Sequence, residues 1–128
     1  MKIFYIAAEA SPFVKTGGLA DVAGSLPKAF KEKGEDISVV MPLYGQIPFE
    51  YKEQMEYIGS YFVDIDWRRQ HVGVFKIVKD GVDFYFIDNE YYFNRNTIYG
   101  QGDDGERFVY FSKACVQLLR FLDIKPDI

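Results

Sequence analysis

The segment Lys15-Thr16-Gly17-Gly18-Leu19-Ala20-Asp21 places a positive charge and a glycine pair between a predicted strand and a predicted helix. Glycines let the backbone turn tightly and approach a ligand with no Cβ atoms in the way. A helix opens with unpaired N–H groups and a partial positive charge, which favours an anion at that end. Lys15 adds a mobile ammonium suited to phosphate oxygens. Together these residues read as an anion-binding turn for a phosphorylated or nucleotide ligand. The spacing is neither that of a Walker P-loop nor that of a dinucleotide fingerprint. A glycine pair by itself fits a plain strand-to-helix turn equally well. Thr16 is placed either to cap the helix or to offer its hydroxyl to a ligand. Asp21, in the first helical turn, is favoured by the helix dipole. Its other readings are bonding to a sugar hydroxyl and orienting Lys15.

Glu9 lies just past the first predicted strand, at the end of the sheet where open α/β folds bind ligands. A solvated loop carboxylate is the alternative. Farther along, Tyr99, Asp103, Asp104 and Arg107 gather an aromatic ring, two acids and a base. Tyr99 has the shape to stack on a ligand ring, and Arg107 can hold a carboxylate or phosphate. Asp103 or Asp104 can instead cap a helix beginning near Glu106. The single histidine, His71, follows Arg68-Arg69 in a predicted turn without His or Cys companions, so no metal site is expected. So placed, it builds no Ser-His-Asp or Cys-His arrangement. Cys115, the one cysteine, falls among apolar helical residues with no cation on its face, which predicts a buried structural thiol.

The elements that position these residues follow from patterning. Ile3 to Ala8 is a short apolar run rich in β-formers, a strand buried on both faces. A loop from Glu9 to Gly18 follows, opened by Pro12. The helical spacing of Val22, Ala23, Leu26, Ala29 and Phe30 predicts a helix over 19–33, stopped by Gly34 and weakened by Gly24 and Pro27. Ile37 to Met41 is the second buried strand, completing a β–loop–α–β unit that makes a parallel sheet. Tyr57–Asp66, Val72–Lys79 and Val82–Ile87 read as strands, with a hairpin at Asp80-Gly81. The last of them is expected to return to the main sheet. The 88–105 loop is long for a connector, and such loops are often functional. A helix over 106–122 presents Phe108, Phe111, Ala114, Cys115, Leu118, Leu119 and Leu122 on one stripe. Lys125-Pro126-Asp127-Ile128 reads as the approach to a further buried strand, so a truncated carboxyl end is expected.

The 128 residues suit one domain with a real core. Aromatics reach 18%, with 12 Phe and 10 Tyr, enough to build a core or line a sugar cleft. A net charge of −4 argues against a nucleic acid partner. No intramolecular disulfide is possible, no signal peptide opens the chain and no apolar run spans a bilayer, so a cytoplasmic protein without membrane partners is expected.

The contiguous block from Ala8 to Pro27, with its Lys-Thr-Gly-Gly-Leu core, resembles the start of the bacterial glycogen synthase and plant starch synthase family. Val39-Val40-Met41-Pro42-Leu43-Tyr44 extends the likeness, as do Asp104-Gly105-Glu106-Arg107-Phe108 and Phe111-Ser112-Lys113-Ala114, in matching order. One departure is Gly105, where the family often has Asn. The resemblance implies an α/β fold: residues 1–128 as the Rossmann-like amino-terminal domain of a GT-B enzyme, a parallel sheet with an inserted antiparallel hairpin region. It implies a retaining transferase that moves glucose from ADP-glucose to the non-reducing end of an α-1,4-glucan, with no cofactor and no metal. By the same resemblance Lys15 and Gly18 contact the donor and Gly17 shapes the loop. Asp21 and Tyr99 are weaker carry-overs to the same site. No catalytic residue is assigned to this segment. The family's second domain, with most nucleotide contacts, is the expected partner, and the segment alone is expected to be inactive. The 88–105 loop is expected to be weakly ordered without that facing wall. The alternatives are another sugar-nucleotide glycosyltransferase and a free-standing flavodoxin-like domain that binds an anion or a partner.

Overall fold

Extended, β-branched and aromatic runs build the sheet wherever both faces can be covered. In the computed structural model, which describes residues 1–128, β1 (Lys2–Ile6) leads through the 7–17 loop into helix α1 (Gly18–Glu32) and then β2 (Asp36–Pro42). A one-turn helix, α2 (Phe49–Lys52), precedes the long strands β3 (Glu56–Ile65) and β4 (Arg68–Lys79), and β5 (Val82–Asp88) follows. The one-turn α3 (Glu90–Phe93) and the long α4 (Asp104–Phe121) complete the order.

All five strands form one sheet in the order β1-β2-β5-β4-β3. β1, β2 and β5 run parallel, and β5, β4 and β3 are antiparallel. The antiparallel region therefore extends the parallel sheet rather than standing apart from it, and β5 returns beside β2 as its apolar sequence predicts. Asp80 and Gly81 both have positive φ at the β4–β5 hairpin, the requirement of a type I′ turn. Asp127 and Ile128 donate to the Lys2 carbonyl while Ile128 accepts from Phe4, so the Pro-Asp-Ile segment lies alongside β1.

One expectation about the middle of the chain is corrected. Arg68, Arg69 and His71 are not in a turn; they open β4 and pair with Ile65, Asp64 and Phe62. The turn is Asp66-Trp67, with Asp66 at φ 56°. A short polar side chain tolerates that left-handed backbone, so no glycine marks the turn in the sequence.

Twenty-nine buried residues form the core. Phe13 packs edge-on against Phe84 and Phe86, alternate residues on one face of β5, and against Tyr51. Tyr44, Phe93 and Phe111 interlock beneath the carboxyl ends of the strands. Cys115 is fully buried, and burial pushes its thiol pKa far up, as expected of a structural thiol. Gly24 has a packing reason: a Cβ there would sit 2.7 Å from the Ser11 carbonyl oxygen, so only glycine lets α1 lie against the preceding loop.

Candidate functional site

The loops after β1, β2 and β5 meet at the carboxyl end of the parallel strands, the usual ligand end of such a sheet. The first loop is anchored from below. The Ala7 N–H donates to Val40, and the Tyr44 hydroxyl donates to the Ala8 carbonyl at 2.7 Å. Ala10 and Phe13 are buried, and the Ser11 N–H donates to the Ala20 carbonyl in α1. What projects above this base is Lys15 to Gly18.

Glu9 is not a solvated loop carboxylate. It is 2% exposed, and its Oε2 accepts from the Thr16 N–H at 3.2 Å and the Thr16 hydroxyl at 2.5 Å. Thr16 is therefore neither a helix cap nor a free hydroxyl. Gly17 occupies the N-cap position, and no side chain caps α1. Lys15 Nζ lies 3.0 Å from Asp21 Oδ2, both side chains 57% exposed. Asp21 lies in the first turn of α1, where the helix dipole favours it, and also pairs with Lys15. So exposed a pair holds the ammonium only weakly, on the order of 1 kcal/mol or less.

Gly17 suits its N-cap position, but packing inside the chain requires glycine at neither 17 nor 18. Gly17 is extended, at φ −169°, and Gly18 is helical. A Cβ at either would meet nothing within 4 Å. Neither backbone strain nor packing asks for glycine here, in contrast to Gly24. The open space faces an uncapped helix start with an exposed ammonium beside it.

Tyr99 reaches the same place from the long loop. Its ring is 6.0 Å from that of Phe108. Burial and the nearby Glu9 carboxylate push its pKa up. Of the five predicted site residues, Lys15, Gly17, Gly18 and Asp21 stand at the turn, and Tyr99 lies on the side of Glu9, close enough for that carboxylate to act on its hydroxyl. Glu9 and Thr16 are the residues that sequence reasoning left unassigned. Position past β1 was the available signal for Glu9, and Thr16 had none beyond adjacency.

Arg107 faces the interior of the chain, and its Nη2 is left there without a hydrogen-bond partner. It is fully buried and donates to the carbonyls of Tyr92 (2.7 Å) and Ile98 (3.0 Å) and to Asp104 (2.8 Å). Asp104 in turn accepts from the N–H groups of Gly100 and Gln101, while Asp103 binds Arg95 through two bonds of 2.9 Å. Neither aspartate caps α4 with its side chain; both tie the loop. The 88–105 segment, expected to be weakly held, is laced to α4 by these contacts. A separate open cavity of about 530 Å³ lies at the β4–β5 end, lined by Phe62, His71, Asp88 and Glu90 among others.

Residues 2–128 match the family described as the starch synthase catalytic domain. Over its full length the chain is 61% identical to a glycogen synthase of Finegoldia magna. It is 50% identical to one of Clostridium novyi and 49% to one of Streptococcus agalactiae. It spans about 27% of the length of each of these relatives. Among solved structures it superposes on the catalytic domain of starch synthase IV from Arabidopsis thaliana, bound to ADP and acarbose. The TM-score is 0.88 and the identity 29%, over 98% of this chain and 26% of that one. No helix is long and apolar enough to cross a membrane. By its sequence and its mixed sheet, the chain belongs to the starch synthase catalytic domain family, whose amino-terminal GT-B architecture it shares.

Proposed function

We propose that this chain supplies the donor-side wall of a glucan synthase that transfers glucose from ADP-glucose to the non-reducing end of an α-1,4-glucan with retention. One observation carries the reading. Gly17 and Gly18 leave open space that nothing inside the chain requires, at an uncapped helix start beside the exposed Lys15. A diphosphate fits that combination. Transfer leaves ADP with an added negative charge, so N–H dipoles and an ammonium already aimed at the diphosphate stabilise the transition state. Lys15 needs only to exchange the exposed Asp21 carboxylate for phosphate oxygens. Tyr99 borders the sugar side of the same turn. The departing phosphate and the attacking acceptor hydroxyl share one sugar face, so no carboxylate of this chain acts as nucleophile. A second domain supplies the opposite wall, and residues 1–128 alone give no transfer.

The test is a chimera in which this chain replaces the matching amino-terminal quarter of the Finegoldia magna glycogen synthase, assayed for glucose transfer from ADP-glucose to glycogen. Transfer is expected, with Lys15→Ala lowering kcat about 100-fold at unchanged thermal stability, the scale of losing one preorganised cationic contact. A folded chimera that transfers no glucose overturns the reading. An undiminished Lys15→Ala variant removes the role given to Lys15.

A further inference from the structure

We infer that Glu9 is a positioning residue for the donor turn, its buried carboxylate fixing Thr16, and through Thr16 the Lys15–Gly18 backbone, in a preset arrangement. The inference rests on the proposed function for its kinetic consequence, but its geometric content stands on the structure alone.

A carboxylate buried without a cation is costly unless hydrogen bonds replace its lost water. Glu9 is 2% exposed, and none of the six ion pairs includes it. Lys15, the nearest cation in sequence, pairs with Asp21 instead. The donors that satisfy Glu9 come chiefly from one residue, the N–H and hydroxyl of Thr16, which sits between the exposed ammonium and the glycine pair. Holding both donors of one residue fixes the peptide as well as the side chain. That peptide directs Lys15 to one side and Gly17 to the other. The backbone on either side of Glu9 is anchored, because the Ala8 carbonyl accepts from the buried Tyr44 hydroxyl and Ala10 is fully buried.

A charged acceptor placed at the base of the turn does what a glycine-rich turn cannot do for itself. Glycines lose more conformational freedom on ordering than other residues. An anion-binding turn built from them gains in transition-state stabilisation only if its ordering is done before the ligand arrives. Glu9 does that ordering from the protein side. It touches neither donor nor acceptor and acts only through Thr16.

Two measurements test this. Hydrogen exchange in the 128-residue chain, followed by mass spectrometry, compares the unsubstituted protein with Glu9→Gln. Glutamine keeps the size and a carbonyl acceptor but loses the charge. Peptides covering residues 14–19 are expected to exchange at least about fivefold faster in the variant, with β2 peptides unchanged, as local opening without global loss requires. Equal exchange at 14–19, or acceleration throughout the chain, overturns the inference. In the chimera, Glu9→Gln and Thr16→Val are each expected to lower kcat about 10-fold or more with KM for ADP-glucose altered less than about 3-fold, while Thr16→Ser stays near full activity. Combined with Lys15→Ala, Glu9→Gln is expected to add almost nothing, since both losses pass through one turn. Independent, multiplicative losses, or an unchanged kcat in Glu9→Gln, overturn the positioning role. An inactive unsubstituted chimera counts against the proposed function, and the exchange experiment then still decides the role of Glu9.

Discussion

Two loops at the same end of the sheet carry similar charged residues and use them in opposite ways. In the 7–17 loop, Lys15 stands 57% exposed with one loose carboxylate partner. In the 89–103 loop, Arg107 of the following helix is fully buried and donates to two carbonyls and Asp104. By residue type both cations are candidates for holding phosphate. Their partners separate them. Arg107 spends three bonds on two backbone carbonyls and Asp104 and leaves only the buried Nη2 without a partner, whereas Lys15, paired weakly at the surface, can exchange its partner for a ligand. The acids reverse in the same way. Glu9 is buried and accepts two bonds from Thr16; Asp21 is exposed, in the first turn of α1, and pairs with Lys15.

The sharpest way to break this contrast is Arg107→Met. It leaves Asp104 and the Tyr92 and Ile98 carbonyls without their buried donor, a change expected to cost about 3 kcal/mol of folding stability. Urea unfolding of the chain measures it, against Lys15→Met, which is expected to move stability by less than about 0.5 kcal/mol. A variant at 107 as stable as the parent removes the distinction between the two loops. A smaller effect sharpens it through glycines. Gly24→Ala forces a Cβ to 2.7 Å from the Ser11 carbonyl oxygen, and the strain is expected to cost about 1–3 kcal/mol. Gly18→Ala meets nothing within 4 Å. It is expected to leave stability unchanged or raise it by about 0.4–1 kcal/mol through the unfolded state. In the chimera the same Gly18→Ala change lowers kcat/KM for ADP-glucose about 10-fold or more, because the methyl group occupies the space assigned to the donor. Stability that falls with Gly18→Ala, or transfer that does not, places the reason for that glycine inside the chain.

Much of the fold was legible because its signals are local. Ile3–Ala8 and Ile37–Met41 announce buried strands by composition, Gly34 ends α1, and Asp80-Gly81 supplies the two positive φ angles of its hairpin. What sequence did not reveal depends on short or distant partners. The one-turn helices α2 and α3 have no periodicity to detect. The Asp66-Trp67 turn uses an aspartate where a glycine would have marked it, so the sequence pattern starts this strand at Val72 and leaves Arg68 to His71 in a turn. Glu9 lies near Tyr99 across ninety positions, and no spacing rule connects them. Arg107 could be told from a ligand-binding arginine only by its burial, which depends on where the Tyr92 and Ile98 carbonyls fall after folding. The chemistry proposed for the turn was legible in its residue types. Its glycines became evidence only once the space around them was known to be empty.

The smallest expected effect is a pH dependence confined to the second loop. Two hydrogen bonds from Arg95 hold the Asp103 carboxyl below its ordinary value of 3.8. Burial opposes the Asp104 charge, but bonds from Arg107 and from the Gly100 and Gln101 N–H groups outweigh it, so its pKa also lies below 3.8. A group whose folded pKa is depressed stabilises the fold above its unfolded pKa and loses that contribution as pH falls through the folded value. The contacts are thus intact at neutral pH and are lost progressively below about pH 4. Thermal unfolding between pH 6 and pH 2.5 is expected to show a steeper acid-side fall for the parent than for Asp103→Asn. Both side chains are about one-third exposed, so solvent screening keeps the difference small. Parallel curves for parent and Asp103→Asn would mean that Arg95–Asp103 does not hold the loop in solution, and that Arg107 alone separates it from the open turn.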